Sequence, residues 1–288
     1  MNASSDRRLR IVVLCNTCDG EDVGEAWSSF QWVSGVSEYC DVTLLTYTRY
    51  GRTPTSRQLP GIRVVEWDDF PVLRRFERFS AALKPGWWLL YWRARRWIQQ
   101  QQKSGEKFDL IHQISPLALR HACPAWGLGI PYVLGPLAGS LETPREFKKE
   151  VSGPWYMSAR NLDRLRFKYD PLLRTGLMNA RAVIAVAPYV SEVLEAVPIK
   201  RFVFQSETGV GSLPKMKRTR EEGDGALRLL YVGRIVRTKG LRDAIRAMLL
   251  VSPHLKVHLD VVGDGDDRQH CEAEARPLVE SGRIRFHG

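Results

Sequence analysis

The sequence predicts an α/β protein built as two parallel-sheet halves, and three observations carry that reading. Short apolar runs of strand length alternate with segments of helical period. The first run, Leu9–Cys15, opens a strand–loop–helix–strand unit. A second series begins afresh at Leu227–Val232, after a charged, Gly-containing stretch at Lys215–Gly225 that has no periodicity. Alternation of this kind belongs to sheets covered by helices. At 288 residues the chain is long enough for two domains, and the boundary is placed to give domains 1–218 and 219–288.

The elements follow in order. Leu9–Cys15 is a continuous apolar run and reads as a buried strand. Asn16–Val23 is a polar loop. Gly24-Glu25 opens a helix to about Tyr39, with Trp27, Phe30, Val33 and Val36 at helical spacing. Asp41–Tyr47 and Ile62–Trp67 are the next strands. This is the start of a Rossmann-type half. The glycine fingerprint G-x-G-x-x-G is absent after the first strand, which argues against a nicotinamide or flavin oxidoreductase.

Residues 70–103 are the most unusual stretch. Between Arg74 and Lys103 there are eight Lys or Arg and one acid, Glu77, interleaved with Trp87, Trp88, Tyr91, Trp92 and Trp97. Pro85-Gly86 divides the stretch into two helical pieces. Two readings stand. Rings beside cations suit an anionic membrane surface contacted through 74–103. Alternatively, a long helix packs Trp88, Tyr91 and others on the sheet with its arginines solvated. Leu90, Ala94 and Trp97 do share one stripe. Stacking on nucleic acid is a third use of such residues, but no nucleic-acid motif accompanies them, so no specific nucleic acid is expected.

Phe108–Gln113 and Pro131–Gly135 are strands. His112 sits near the carboxyl end of the first of these, where ligands bind in parallel sheets; its other reading is a satisfied core histidine. Gly135-Pro-Leu-Ala-Gly139-Ser140 is a glycine-bearing loop whose backbone amides could meet a sugar or phosphate, or a plain tight turn. A basic helix over Asn161–Ala180, a strand Ala182–Val186, a helix through Glu195 and a strand Phe202–Phe204 complete the first half. In the second half come a helix (Leu241–Val251), a strand (Val257–Val262), a helix (about Asp267–Glu280) and a strand ending at Phe286.

Composition bounds the function. The apolar fraction of 44% and the charged fraction of 26% are those of a soluble globular protein. The formal charge of +11 suits nucleic acid, an anionic membrane or phosphorylated substrates. Met1–Arg10 does not read as a secretory signal, and no segment approaches the roughly 18 apolar residues of a membrane span. Five scattered cysteines argue against a disulfide framework and fit a reducing cytoplasm. Cys15 and Cys18 form a C-x-x-C with no second pair for zinc, and read as ordinary thiols near a strand end.

The chemistry gathers in Leu227–Gly240. An apolar strand runs into Gly233, Arg234 follows at once, and Lys239 closes a short loop before a helix. Glycine lets the backbone approach a ligand closely. The helix start offers free N–H groups, Arg234 a bidentate fork and Lys239 a point charge, which together suit a diphosphate. Solvated loop cations are the alternative.

In order and spacing, Gly233-Arg234-x4-Lys239-Gly240, Asp260-Val-Val-Gly263-Asp264-Gly265 and Arg283–Gly288 resemble the second domain of family 4 glycosyltransferases. The fold implied is α/β, GT-B, with two Rossmann-like domains facing a cleft and the second incomplete. The resemblance implies that Arg234 and Lys239 hold the leaving diphosphate of a nucleotide sugar, with Gly233 beside them and the Gly263–Gly265 loop near the nucleoside. It implies retention at the anomeric carbon and no essential metal. The first half resembles the acceptor-side domain. Its cleft loops would be Gly24-Glu25, Gly135, Gly139, Ser140 and Gly209, in the turn that follows Glu207. Many relatives carry His-x-His where this chain has His112-Gln113-Ile114, so His112 alone is carried over. Relatives with a Gly-Pro-x-x-Gly-Gly/Ser loop act in surface polysaccharide or glycolipid assembly. The expected acceptor is therefore a glycan or a lipid-linked hydroxyl, and the expected location is cytoplasmic, peripheral on the inner membrane face. The paired glutamates Glu-x7-Glu that grip sugar and ribose in relatives do not occur after Phe286, which suggests a truncated chain or one piece of a longer protein. A non-catalytic fragment, or an acceptor- or membrane-docking module, is the alternative function.

Overall fold

The computed structural model describes residues 7–68, 86–141, 144, 147, 163–209 and 225–288. Contacts divide the chain into two compact units, one holding the first seven strands and the other the last three. The expected boundary at 218/219 and the first helical piece of 70–103 fall outside the described residues.

The first unit is a seven-stranded sheet in the order β3-β2-β1-β4-β5-β6-β7. Its strands are β1 (Leu9–Thr17), β2 (Cys40–Thr48), β3 (Arg63–Asp68), β4 (Leu110–Gln113), β5 (Tyr132–Leu137), β6 (Ala182–Ala185) and β7 (Phe202–Phe204). Every adjacent pair is parallel. Parallel strands need crossovers, so helices cover both faces and the central strands are apolar on both sides. β1 shows this residue by residue. Ile11 and Val13 join the core under helix α1 (Glu25–Ser37), beside Val33. Val12 and Leu14 join the opposite core with Ala94 and Ile98 of helix α3 (Gly86–Lys103). A short helix α2 (Thr55–Gln58) links β2 to β3. Each fully buried Val, Leu or Ile contributes about 1.5–3 kcal/mol.

The segment 161–180, expected to be basic and helical, holds two helices in its described residues, α4 (Asp163–Tyr169) and α5 (Pro171–Asn179). The break has a local cause. Pro171 pushes Asp170 out of the helical region, to ψ 106°. The freed carboxylate then caps α5 by accepting from the Leu173 N–H at 3.1 Å. Helix α6 (Tyr189–Val193) connects β6 to β7. In α3 the stripe facing the sheet is Trp87, Leu90, Tyr91, Ala94 and Ile98. Trp88, which the packed-helix reading places on the sheet beside Tyr91, is exposed instead.

The second unit is the sheet β10-β9-β8, from β8 (Leu227–Val232), β9 (Val257–Val262) and β10 (Ile284–Phe286), all parallel. Helices α7 (Leu241–Leu250) and α8 (Arg268–Glu280) carry buried residues at helical spacing: Leu241, Ile245 and Met248 on one, Cys271, Ala275 and Leu278 on the other. Both stripes enter one core with Leu259, Val261 and Ile284.

Candidate functional site

In the second unit the site is the turn after β8. Gly233 N–H donates to the Val262 carbonyl at 3.1 Å, Ile235 N–H to Asp264 at 2.8 Å, and Asp267 N–H to Ile235 at 3.1 Å. The loops after β8 and β9 are thus zipped backbone to backbone. This contact is why Gly263 and Gly265 are glycines. A Cβ on Gly263 would stand 2.0 Å from the Gly233 carbonyl oxygen, and one on Gly265 2.2 Å from that of Ile235. Asp264 turns back to accept its own loop's Gly265 N–H at 2.8 Å.

The zipped loops hold the backbone of Arg234 from both sides. Its carbonyl accepts from the Tyr231 hydroxyl and the Val236 N–H, each at 3.0 Å. Residues Arg237–Lys239 then form one 3-10 turn, and Gly240, at φ 75°, reverses the chain into α7. The neighbouring arginines are paired: Arg237 with Asp243 at 2.8 Å, Arg242 with Asp267 at 2.9 Å, Arg246 with Glu274 at 2.6 Å and Arg268 with Glu272 at 2.7 Å. The Arg237 hydrogen bond holds the Asp243 carboxyl below its ordinary range. Arg234 and Lys239 are exposed and have no ion-pair partner among the described residues. Two uncompensated cations thus border the start of α7, whose first amides have no intrahelical acceptor.

In the first unit the expected residues lie at the carboxyl ends of the strands, and they are wired together. The Glu207 carbonyl accepts from Ser28 Oγ at 2.8 Å and from Trp32 Nε1 at 2.9 Å, fastening the turn after β7 to α1. The Trp32 ring meets His112 edge-on at 6.0 Å. His112 is buried, and its Nε2 lies 2.7 Å from the Gly135 carbonyl, so that nitrogen carries the hydrogen and donates. Burial lowers the imidazole pKa to about 4, against the opposing pull of that carbonyl, so the ring is neutral near pH 7. His112 is therefore placed in the core as a strut between β4 and β5, because Gly135, expected to open the loop, lies inside β5, which runs on to Leu137.

Gly135 is required by a close approach, since a Cβ there would stand 2.2 Å from the Ile184 carbonyl oxygen. Gly139 N–H donates to the Tyr189 hydroxyl at 3.0 Å. Ser140, at φ 58°, donates to Asp163 Oδ2 at 3.1 Å, and that carboxylate pairs with buried Arg120 at 2.8 Å. Gly24, at φ 65°, faces open space, and Gly209 is likewise uncrowded. Glu25 accepts from the Leu117 N–H at 3.2 Å. Burial and the nearby Glu25 charge raise the Glu207 carboxyl. Cys15 and Cys18 are buried; a hydrogen bond to Cys15 and burial push the Cys18 thiol far up, so it stays protonated.

Sequence reasoning named the glycines and the two free cations but missed Trp32, Arg120, Asp163 and Tyr189, which fix the loops of the first unit. Their signal is weak, because each lies on an element remote in sequence from the loop it holds.

Paired parallel α/β units with glycine loops at the strand ends define the GT-B glycosyltransferase architecture. The chain belongs to the glycosyl transferase 4-like family, whose domain model matches residues 33–201. No curated protein matches the sequence. Solved structures share the fold at low identity. HepE of Anabaena, in complex with UDP, has a TM-score of 0.59 at 15% identity, covering 97% of this chain and 69% of its own. A UDP-forming α,α-trehalose-phosphate synthase of Burkholderia vietnamiensis has 0.58 at 14%, covering 97% and 72%. The apo lipopolysaccharide outer core galactosyltransferase WaaB has 0.53 at 14%, covering 97% and 68%.

Proposed function

We propose that this chain belongs to a retaining glycosyltransferase that moves a hexosyl group from a nucleotide-diphosphate sugar to a hydroxyl acceptor. The observation that carries the reading is the pair Arg234 and Lys239, exposed without carboxylate partners among the described residues, while Arg237 of the same loop and Arg242 of the helix after it are paired. Breaking the glycosidic bond places new charge on the departing diphosphate. Preorganised cations and helix amides stabilise that charge as it develops. With the charge so balanced, the reaction is read as needing no essential metal. A departing phosphate oxygen takes the acceptor's proton, so no protein nucleophile is assigned. The Gly263–Gly265 loop is read as the nucleoside side of the site, because its backbone is locked against the loop that carries Arg234.

The acceptor is read as a glycan or lipid-linked hydroxyl met by the first unit, in surface polysaccharide or glycolipid assembly on the cytoplasmic side. WaaB, a lipopolysaccharide outer core galactosyltransferase, supports this class by analogy of fold alone. Within the first unit, His112 is assigned a positioning role for β5 at Gly135 and the loop that follows it.

Calorimetric titration with UDP and other nucleoside diphosphates tests the donor site. Arg234→Ala and Lys239→Ala are each expected to weaken binding by roughly tenfold or more, the scale of a lost charge-assisted bond. Unchanged affinity in both variants would sink the assignment.

A further inference from the structure

Helix α3 has two aromatic faces, and the fold uses only one. Trp87, Leu90, Tyr91, Ala94 and Ile98 meet the sheet and are buried. Trp87 Nε1 even finds its acceptor there, the Ala122 carbonyl at 3.0 Å. Trp88 and Trp92, one turn apart, are 44% and 60% exposed. Trp126, 40% exposed, is tied to the same helix, because Arg95 donates to its carbonyl at 2.5 Å and to that of Pro124 at 2.7 Å. The outer rings are braced. The Tyr91 ring centroid lies 5.6 Å from that of Trp88 and 5.3 Å from that of Trp92.

The charge carried by the helix itself is of one sign. Helix α3 carries Arg93, Arg95, Arg96 and Lys103 and no carboxylate. Two of the four cations are used within the fold: Arg93 lies over the Tyr47 and Trp67 rings at 5.7 and 5.9 Å, and Arg95 holds the carbonyls just named. Arg96, one turn beyond Trp92, and Lys103 at the helix end remain exposed.

We propose that Trp88, Trp92 and Trp126, with Arg96 and Lys103, form a docking face for an anionic phospholipid surface. Indole rings settle at headgroup depth, where the ring is out of water and its N–H is not. Cations beside them meet anionic headgroups without repulsion from an acid on the same helix. A nucleic acid would instead call for cations repeating along the path of the rings, whereas here they gather toward one end of the stripe. This inference does not depend on the donor-site reading.

Vesicle flotation tests it, with phosphatidylglycerol–phosphatidylcholine vesicles against phosphatidylcholine alone. The protein is expected to float with the anionic vesicles. Trp88→Ser/Trp92→Ser should weaken that binding by about tenfold or more, and Arg96→Glu/Lys103→Glu comparably, by the loss of attraction and gain of repulsion. UDP affinity should stay unchanged in both. Absence of binding to anionic vesicles overturns the proposal, as does undiminished binding of the serine variant, or preference for single-stranded nucleic acid over vesicles at physiological salt. Should the serine variant fail to fold, the glutamate variant decides, since it touches no buried ring; unchanged vesicle affinity there overturns the proposal equally.

Discussion

The two units begin alike and end differently. Each lays its first three strands in the same order, β3-β2-β1 in one and β10-β9-β8 in the other, and each ends its first strand near the site loop. In the first unit β1 is paired on both sides, with β2 and β4, and helices cover both its faces. In the second, β8 pairs only with β9 among the described residues, and both helices serve one face. The consequence is that Val12 and Val13 are wholly buried while Leu230 and Val232 are each 67% exposed, although all four sit in apolar strands of similar sequence. The polar residues follow the same division. Side chains from other elements hold the site loops of the first unit, whereas in the second a backbone zipper holds them and Arg234 and Lys239 have no ion-pair partner among the described residues.

Ion pairs give the sharpest way to test that division. Arg120 and Asp163 pair inside the first unit, while Arg246 and Glu274 pair at the surface of the second. Removing one member of a buried pair strands the other charge, so Arg120→Met should cost about 3–5 kcal/mol. Arg246→Met should cost less than about 1 kcal/mol, since an exposed pair is screened by water. Urea denaturation followed by fluorescence measures the first value, because the tryptophans all precede residue 156. Far-ultraviolet dichroism is needed for the second. Equal costs would show that the Arg120 pair is not the fastening read from its burial.

The same contrast explains what the sequence made legible. Strands Phe202–Phe204, Leu227–Val232 and Val257–Val262 are read correctly to the residue, because apolar runs bounded by polar turns leave little choice. The glycine loops are legible because their spacing is local. Trp87 and Trp88 are not told apart by pattern. Periodicity sets them about 100° apart on the helix but does not say which one meets the sheet. The Arg120–Asp163 pair is also invisible in advance, since it joins elements far apart in the chain. The split at Asp170-Pro171 was legible in principle, as the residue before proline resists the helical conformation.

Glycine positions give the next effect down. Gly263→Ala must force a Cβ away from the Gly233 carbonyl, which lies 2.0 Å from its ideal position. The zipped loops would have to part, at a cost of about 1–3 kcal/mol, and nucleoside diphosphate affinity should fall with them. Gly24→Ala in the first unit meets no neighbour. Its φ of 65° and ψ of −131° lie outside the regions open to an L residue, so the expected cost, about 1–3 kcal/mol, is backbone strain alone. Thermal unfolding of the two variants, read beside UDP titration, checks the contrast. A Gly263→Ala variant with unchanged UDP affinity would separate the loop zipper from donor binding.

The smallest effect is a pH dependence that arises at one buried ring of the first unit. His112 is buried there, whereas the described histidines of the second unit, His254, His258, His270 and His287, all reach solvent. Burial lowers the folded His112 pKa to about 4, from an unfolded value near 6.5. Between those values the unfolded chain binds the proton and the folded chain does not. Acidification therefore favours unfolding, and stability present above pH 6.5 is lost progressively as the pH falls toward 4. From pH 7 to pH 5.5 the loss attributable to this ring is about 1 kcal/mol. His112→Asn retains an N–H able to donate but cannot titrate in this range. Its tryptophan-detected unfolding should be flatter between these pH values than that of the parent chain, whatever its stability at pH 7. An unaltered slope would mean that the His112 ring takes up its proton in the folded state as readily as in the unfolded one, and that the strut between β4 and β5 survives as an imidazolium.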